Sequence, residues 1–161
     1  MTTKPNAVQL RQVGEADLPL FFAHQQDPEA IWMAAFTAKN PSDRDAFNAH
    51  WAKIRADDGI FMQTILFEGD VAGYIVSHGW FGDLEISYWL GQAFWSKGIA
   101  TEALTQFLAL QTTRPLQARV VKDNIGSLKV LQKCGFVITG EDKGFAHGRQ
   151  AEVEEFILRL A

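Results

Sequence analysis

The chain contains a single cysteine, Cys134, among its 161 residues. One thiol cannot close an internal disulfide, and it cannot supply a zinc site that needs several cysteines. No apolar run is long enough to cross a membrane, and no apolar stretch before Val8 has the form of a secretory signal. We therefore expect a reduced, cytoplasmic protein with no membrane partner.

An excess of positive charge is also missing. The formal net charge is −4 at pH 7, and the lysine and arginine residues do not cluster into a run. Such a chain has no general attraction for nucleic acid, so we expect no nucleic-acid partner. The hydrophobic content of 47% and the charged content of 21% are typical of a globular protein. We predict a single domain over residues 1–161, a length sufficient for one sizeable core.

Hydrophobic periodicity predicts strands and helices in a mixed order. Apolar or alternating runs predict strands at 8–12, 61–67, 71–78, 84–90, 117–121, 136–139 and 153–160. Apolar residues at helical spacing predict helices at 16–25, after the Ser42-Asp43 box, at 99–112 and from 124 to about 133. The stretch 27–41 is rich in turn residues and is assigned no helix. The resulting order fits neither a doubly wound sheet nor a barrel.

The segment Trp95-Ser96-Lys97-Gly98-Ile99-Ala100-Thr101 joins a predicted strand to the helix that begins at Ile99. The first N–H groups of a helix lack partners within it, and with the positive end of the helix dipole they favour an anion such as a phosphate. Gly98 allows a phosphate to approach the backbone closely, and Lys97 adds positive charge. The alternative is an ordinary strand-to-helix turn. The glycine spacing matches neither a nucleotide-hydrolase loop nor a dinucleotide fingerprint.

A second informative segment begins at Asn124-Ile125-Gly126-Ser127 and ends at Gly135-Phe136. Asp123 or Asn124 is a good N-cap, and the following leucines form an apolar stripe. Gly135 is a natural residue after a helix C-terminus. The segment therefore predicts a capped amphipathic helix that leads into a strand.

Together these two segments resemble the GNAT acetyltransferase superfamily, in particular its ribosomal-protein alanine N-acetyltransferase branch. Gly98 and Ala100 occupy the small positions of the family's Q/R-x-x-G-x-G/A loop, whereas Trp95 stands where Gln or Arg is usual. The Asn124 helix is similar to the family's N-x-x-S helix, and the likeness extends from about Val8 to the C-terminus. It implies an α/β (α+β) GNAT fold, with a splayed mixed sheet of about six to seven strands and about four helices. It also implies acetyl-CoA as acyl donor and no metal.

The resemblance implies which residues contact the donor. The loop backbone would hold the pyrophosphate, while the preceding strand and the Asn124 helix would flank the pantetheine arm. The expected residues are Trp89, Leu90, Trp95, Ser96, Lys97, Gly98, Ile99, Ala100, Thr101, Asn124 and Ser127.

The sequence alone does not identify the group that supplies a proton to the departing thiolate. Many relatives carry a tyrosine seven residues after the asparagine, but that position is Leu131 here. The resemblance offers Ser127 instead, although a serine in a first helical turn is also an ordinary backbone-bonded hydroxyl. Asn124 could contact the pantetheine or order a water, or could simply cap the helix.

Glu85 is the first candidate for the base that accepts the amine proton. Strand alternation places it on one face with Ser87 and Trp89, where a carboxylate in a cleft would suit this role. The alternatives are a solvated strand-end residue, His78 at the end of the neighbouring strand, or a chain of ordered waters.

The acceptor is expected to be a small-molecule amine or a peptide or protein N-terminus. Candidate acceptor-binding residues are Trp32, Met33, Phe36, Trp80 and Glu85, although core packing also explains the aromatic ones. Cys134 is interpreted as a structural thiol, so we expect direct transfer in a ternary complex without an acyl-enzyme. A non-catalytic acyl-CoA-binding or sensor domain is the alternative, and the aromatic last strand could support a homodimer.

Overall fold

A seven-stranded mixed sheet organises the computed structural model, which describes residues 7–79 and 82–161. Within these residues the strands are β1 (Val8–Gln12), β2 (Phe61–Phe67), β3 (Asp70–His78), β4 (Leu84–Leu90), β5 (Leu116–Val121), β6 (Val137–Ala146) and β7 (Ala151–Leu160). The α-helices are α1 (Leu18–His24), α2 (Pro28–Ala34), α3 (Arg44–Arg55), α4 (Ile99–Leu110) and α5 (Ile125–Lys133). Short 3-10 turns occupy Glu15–Asp17 and Gln92–Phe94.

The sheet is splayed in its middle. Its order is β1-β2-β3-β4-β5-β7-β6, and all neighbouring pairs are antiparallel except β4 with β5. The parallel β4–β5 pair consists only of Leu84 with Leu116 and Glu85 with Gln117. Residues 86–90 of β4 therefore have no strand partner on the β5 side, as far as the described chain shows. This topology confirms the predicted GNAT-like fold with its divided sheet.

Two hydrophobic clusters cover the two faces of the sheet. The main core lies under α4 and α5 and includes the β4 residues Ile86, Tyr88 and Leu90. The smaller core lies under α1 and α3, against the β3 residues Tyr74 and Val76. Tyr74 and Val76 pair with Trp89 and Ser87 across the β3–β4 ladder, so the odd-numbered residues of β4 face the smaller core.

Local sequence signals account for most element boundaries. Asp43 caps α3 by accepting from the Ala46 N–H at 3.0 Å, as the predicted box requires. The β2–β3 hairpin turns through Glu68 and Gly69, whose φ angles of 52° and 86° suit the primed turns of tight hairpins.

The hydrophobic pattern did not predict α2, which lies in the turn-rich stretch 27–41. Asp27 caps this helix and Pro28 occupies its first position, both ordinary start signals. Its apolar residues form one consecutive run from Ala30 to Ala34, however, and therefore show no helical spacing. Strand β6 is also longer than predicted, because most of its residues are exposed at the sheet edge and show little hydrophobic pattern.

Candidate functional site

The start of helix α4 leaves backbone donors available. Gly98 is its N-cap residue with φ 76°, and no side chain caps this end. In the described parts of the chain, no acceptor bonds the N–H groups of Ile99, Ala100 or Thr101. Residues Ser96 to Gly98 are exposed, so the turn is open to solvent. These donors and the helix dipole form an anion-binding corner.

Trp95 supports this corner from inside. Its indole N–H donates to the Leu90 carbonyl at 3.0 Å, and its backbone N–H donates to the Gln92 carbonyl at 3.1 Å. The ring packs against the main core. Both N–H donors of Trp95 are thus used within the protein, and the residue fixes the end of β4 relative to the turn.

The C-terminal end of β4 lies unusually close to β3. A Cβ atom on Gly73 would come within 1.9 Å of the Trp89 carbonyl oxygen, so only glycine fits at this position. The N–H of Gly91 donates to the Ala72 carbonyl at 2.9 Å and continues the contact. The position of the Trp89 and Leu90 backbone therefore depends on a close approach that a side chain would prevent.

The start of α5 meets both β4 and α2. The Asn124 Oδ1 atom accepts from the Ser127 N–H at 3.3 Å, and its Nδ2 atom donates to the Met33 carbonyl at 3.3 Å. Asn124 therefore caps α5 and ties the helix to the end of α2. The hydroxyl groups of Ser127 and Tyr88 are hydrogen-bonded at 2.7 Å. Burial raises the pKa of Tyr88 to about 12, although the hydrogen bond with Ser127 acts in the opposite direction.

Glu85 lies in a network of charged and polar groups. Its Oε2 atom is 3.7 Å from the His78 Nε2 atom, and its Oε1 atom is 3.3 Å from the Arg119 Nε atom. Gln117 also donates to Oε1 at 3.4 Å. The Glu85 side chain is 23% exposed. The structure therefore brings the two candidate bases together, but beside an arginine that the sequence pattern did not associate with them.

Arg119 connects Glu85 to two further carboxylates. Its Nη1 atom donates to Glu155 at 2.6 Å and to Asp142 at 3.1 Å. These hydrogen bonds raise the pKa of Arg119, Glu155 contributing most. The guanidinium therefore joins β4, β5, β6 and β7 on one face of the sheet and holds the Glu85 carboxylate in place.

A small cavity of about 90 Å³ lies between α3 and the β3–β4 pair, on the Glu85 face of the sheet. Its walls are mostly apolar, with two histidines and two hydroxyl-bearing residues; the lining residues are His50, Trp51, Ile54, Ile60, Tyr74, Val76, His78 and Ser87. Burial lowers the pKa of His50, as do the nearby charges of Lys53 and His78. A small, largely apolar group could fit here beside the candidate bases.

Two of the predicted acceptor residues, Trp32 and Phe36, lie at the surface, whereas Met33 is half-buried. Trp32 is 52% exposed and Phe36 is 42% exposed, so neither is an ordinary core residue. The guanidinium of Arg149 lies 4.4 Å from the centre of the Trp32 ring, and it also makes a bidentate pair with Asp123 at 2.8 Å. The remaining candidate, Trp80, lies outside the described residues.

Residues 8–137 match the model of the acetyltransferase (GNAT) domain family. The chain belongs to the GNAT acetyltransferase family. No curated protein sequence matches it. In the part of the chain that the structure describes, no group of three metal-binding side chains is assembled, and no helix is long and apolar enough to cross a membrane.

Three solved structures illustrate the likeness of fold. Mycobacterium smegmatis RimJ in complex with CoA-disulfide has a TM-score of 0.81 at 20% identity, over 99% of this chain and 84% of that one. The phosphinothricin acetyltransferase of Sinorhizobium meliloti in complex with AcCoA has a TM-score of 0.79 at 21% identity, over 96% and 88%. The ribosomal-protein-S5-alanine acetyltransferase of Vibrio fischeri has a TM-score of 0.75 at 17% identity, over 99% and 96%.

Proposed function

We propose that this GNAT protein transfers an acetyl group from acetyl-CoA to a primary amine. The observation that carries the proposal is the uncapped start of α4, which the turn at residues 91–98 connects to the open edge of β4. A diphosphate requires clustered donors and positive potential, and the corner at residues 98–101 offers both. Lys97 in the same exposed turn adds positive charge.

The pantetheine arm would extend from this corner along residues 86–90 of β4. Among the described residues, backbone groups on the side of β4 that faces away from β3 have no strand partner there. Apart from the Leu90 carbonyl, which accepts from the Trp95 indole, they are available to a chain of amides such as pantetheine. Asn124 and Ser127 lie at the start of α5, and Ser127 reaches β4 through Tyr88. Two of the similar solved structures contain CoA-disulfide or AcCoA, which supports acetyl-CoA as the cosubstrate.

We assign the acceptor side to the opposite face of β4. Glu85 and His78 lie close enough to share an amine proton, either directly or through water, and the apolar cavity adjoins His78. Trp32, Met33 and Phe36 would contact the rest of the acceptor, and Trp80 stays a prediction. The amine and protein-N-terminus classes both stay open, as the similar structures include a phosphinothricin and a ribosomal-protein acetyltransferase.

Transfer would be direct, with both substrates bound together. The amine nitrogen forms a bond to the acetyl carbon, the carbon–sulfur bond breaks, and the proton lost by the amine balances the one gained by the thiolate. Burial raises the pKa of Cys134, which makes its thiol a weak nucleophile at neutral pH. A cytoplasmic location, a homodimer and a single domain over 1–161 stay predictions.

The proposal is tested by binding and turnover together. CoA at about one hundred times its dissociation constant should stabilise the fold by about 2.7 kcal/mol, and far more than ATP or NAD at equal concentration. Acetyl-CoA with a panel of amines should then release free thiol. CoA binding without thiol release for any amine would favour the sensor alternative, and failure to bind CoA would remove the proposal altogether.

A matched pair of glycine variants locates the binding. Gly98 and Gly69 have φ angles of 76° and 86°, so an alanine at either position carries a similar backbone strain. Gly69 has no neighbouring atom within 4 Å and lies in the β2–β3 turn. We expect Gly98→Ala to weaken CoA binding at least tenfold, and Gly69→Ala to leave it unchanged. Equal losses of affinity would show that strain, and not the corner, is responsible.

A further inference from the structure

The hydrogen bond between Tyr88 and Ser127 crosses the open side of β4. Tyr88 lies within residues 86–90, the part of β4 that β5 does not pair with. Its ring packs against the main core, and its hydroxyl is 2.7 Å from the Ser127 hydroxyl in the first turn of α5. Packing against the main core holds the Tyr88 ring, and the Asn124 cap holds the Ser127 backbone.

Each hydroxyl has one hydrogen to donate. Among the described residues, Tyr88 and Ser127 have only each other as side-chain partners. If the phenol donates to Ser127, the hydrogen of Ser127 is left for a third group. Ser127 is half-buried at the start of α5, so it is not fully closed off from the surface.

We propose that Tyr88 is a positioning residue, whose phenol donates to Ser127 and directs the Ser127 hydroxyl at the departing sulfur of coenzyme A. The proposal rests on the function proposed above. Leu131, where the family resemblance would expect a donor, is buried and apolar. The Tyr88–Ser127 pair would supply from β4 and α5 together the hydrogen bond that Leu131 cannot make.

The pair acts without losing its own protons. When the carbon–nitrogen bond forms and the carbon–sulfur bond breaks, the negative charge on sulfur is stabilised by the Ser127 hydrogen bond. Burial raises the pKa of Tyr88 to about 12, which disfavours the phenol as the final proton source. The amine proton leaves through Glu85 or water, and the thiolate takes a proton from water.

The test is a kinetic double-mutant cycle of Tyr88→Phe and Ser127→Ala. Tyr88→Phe should lower kcat about tenfold, the loss of one hydrogen bond, while the KM for acetyl-CoA stays unchanged. Ser127→Ala should lower kcat about one hundredfold, and the double variant should be no worse than Ser127→Ala alone. The melting temperature of Tyr88→Phe should stay within about 4 °C of wild type.

The cycle also identifies a purely structural role. If the role were purely structural, the substitutions would lower the melting temperature and change KM. Their separate fold-losses of kcat would then multiply in the double variant. That result, or a wild-type kcat in Tyr88→Phe, overturns the inference but leaves the proposed function intact. A wild-type protein that binds CoA but releases no thiol with any amine overturns both.

A spectroscopic readout tests the hydrogen bond without activity. The chain has only two tyrosines, so protein labelled with 3-fluorotyrosine should give two ¹⁹F resonances. Tyr88→Phe assigns one of them. Ser127→Ala should shift the Tyr88 resonance, whereas the control Ser42→Ala, on the exposed loop before α3, should not. If Ser127→Ala leaves the chemical shift of the Tyr88 resonance unchanged, the proposed contact is contradicted.

Discussion

Replacing Gly73 by alanine would test whether the backbone of β4 is part of the donor site. The new Cβ atom would lie 1.9 Å from the Trp89 carbonyl oxygen, 2.9 Å from its carbonyl carbon and 3.0 Å from the Leu90 Cα atom. All three are backbone atoms, so no side chain can rotate away. Ordinary contacts need about 3.5 Å, about 1.6 Å more than the distance to the Trp89 oxygen, so the two strands must move apart at this point.

This displacement should affect both stability and binding. Overpacking of this kind costs about 1–3 kcal/mol, which lowers the melting temperature of a domain of this size by several degrees. Because backbone groups of residues 86–90 would carry the pantetheine contacts and the clash lies at Trp89 and Leu90, we expect the Kd for CoA to rise at least tenfold, or about 1.4 kcal/mol. Isothermal titration calorimetry with CoA measures this without knowledge of the acceptor.

Gly140→Ala is the matched control. A Cβ atom at Gly140 would meet the Ile157 Cδ1 atom at 3.9 Å, which is an ordinary contact. Gly140 lies on the edge strand β6, separated from β4 by two strands. This variant should bind CoA as the wild type does. If Gly73→Ala is folded, as circular dichroism would show, and its Kd for CoA equals that of Gly140→Ala, then β4 near Trp89 does not form the donor site.

Two further predictions concern stability and the thiol. Burial alone would raise the pKa of Asp17, but hydrogen bonds from Arg11, the Gly14 N–H and Thr64 lower it to about 2, below the ordinary value of 3.8. A lowered folded-state pKa stabilises the fold above pH 4, and this stability, about 2 kcal/mol, should disappear as the pH falls from 4 to 2. Urea unfolding at pH 6 and pH 2.5 should show a larger loss of stability in the wild type than in Asp17→Asn, because other carboxylates with lowered pKa values, such as Asp123, titrate in both proteins; equal pH dependence would contradict this prediction. Cys134→Ser should keep full thiol-release activity, since the thiol is half-buried and its pKa is raised by burial, and a large loss of kcat would reopen the acyl-enzyme route.

The residues before and after the α4 turn were predictable because their signals are local. Strand β4 alternates from Leu84 to Ser87 and ends in the apolar run Tyr88-Trp89-Leu90, and α4 begins at Ile99, directly after a glycine. The Asp43 cap and the Glu68-Gly69 turn are local in the same way. For these elements the pattern predicts both type and position, because neighbours in sequence decide them.

The contacts between distant residues could not be predicted in this way. Glu85 meets Gln117 and Arg119 only because β4 and β5 are adjacent and parallel at that point. Alternation places Tyr88 on the face opposite Glu85, but nothing in the pattern indicates that Ser127 lies within hydrogen-bond distance of it. Strand order and helix docking decide such pairs, and both depend on the whole chain.

The most direct test of the central claim is a titration of ¹⁵N-labelled protein with CoA, followed through its backbone amide resonances. We predict saturable binding, with the largest shift changes at Gly98, Ile99, Ala100 and Thr101, whose N–H groups would donate to the diphosphate. Binding that leaves these four resonances in place while others move, or no binding at all, would contradict it.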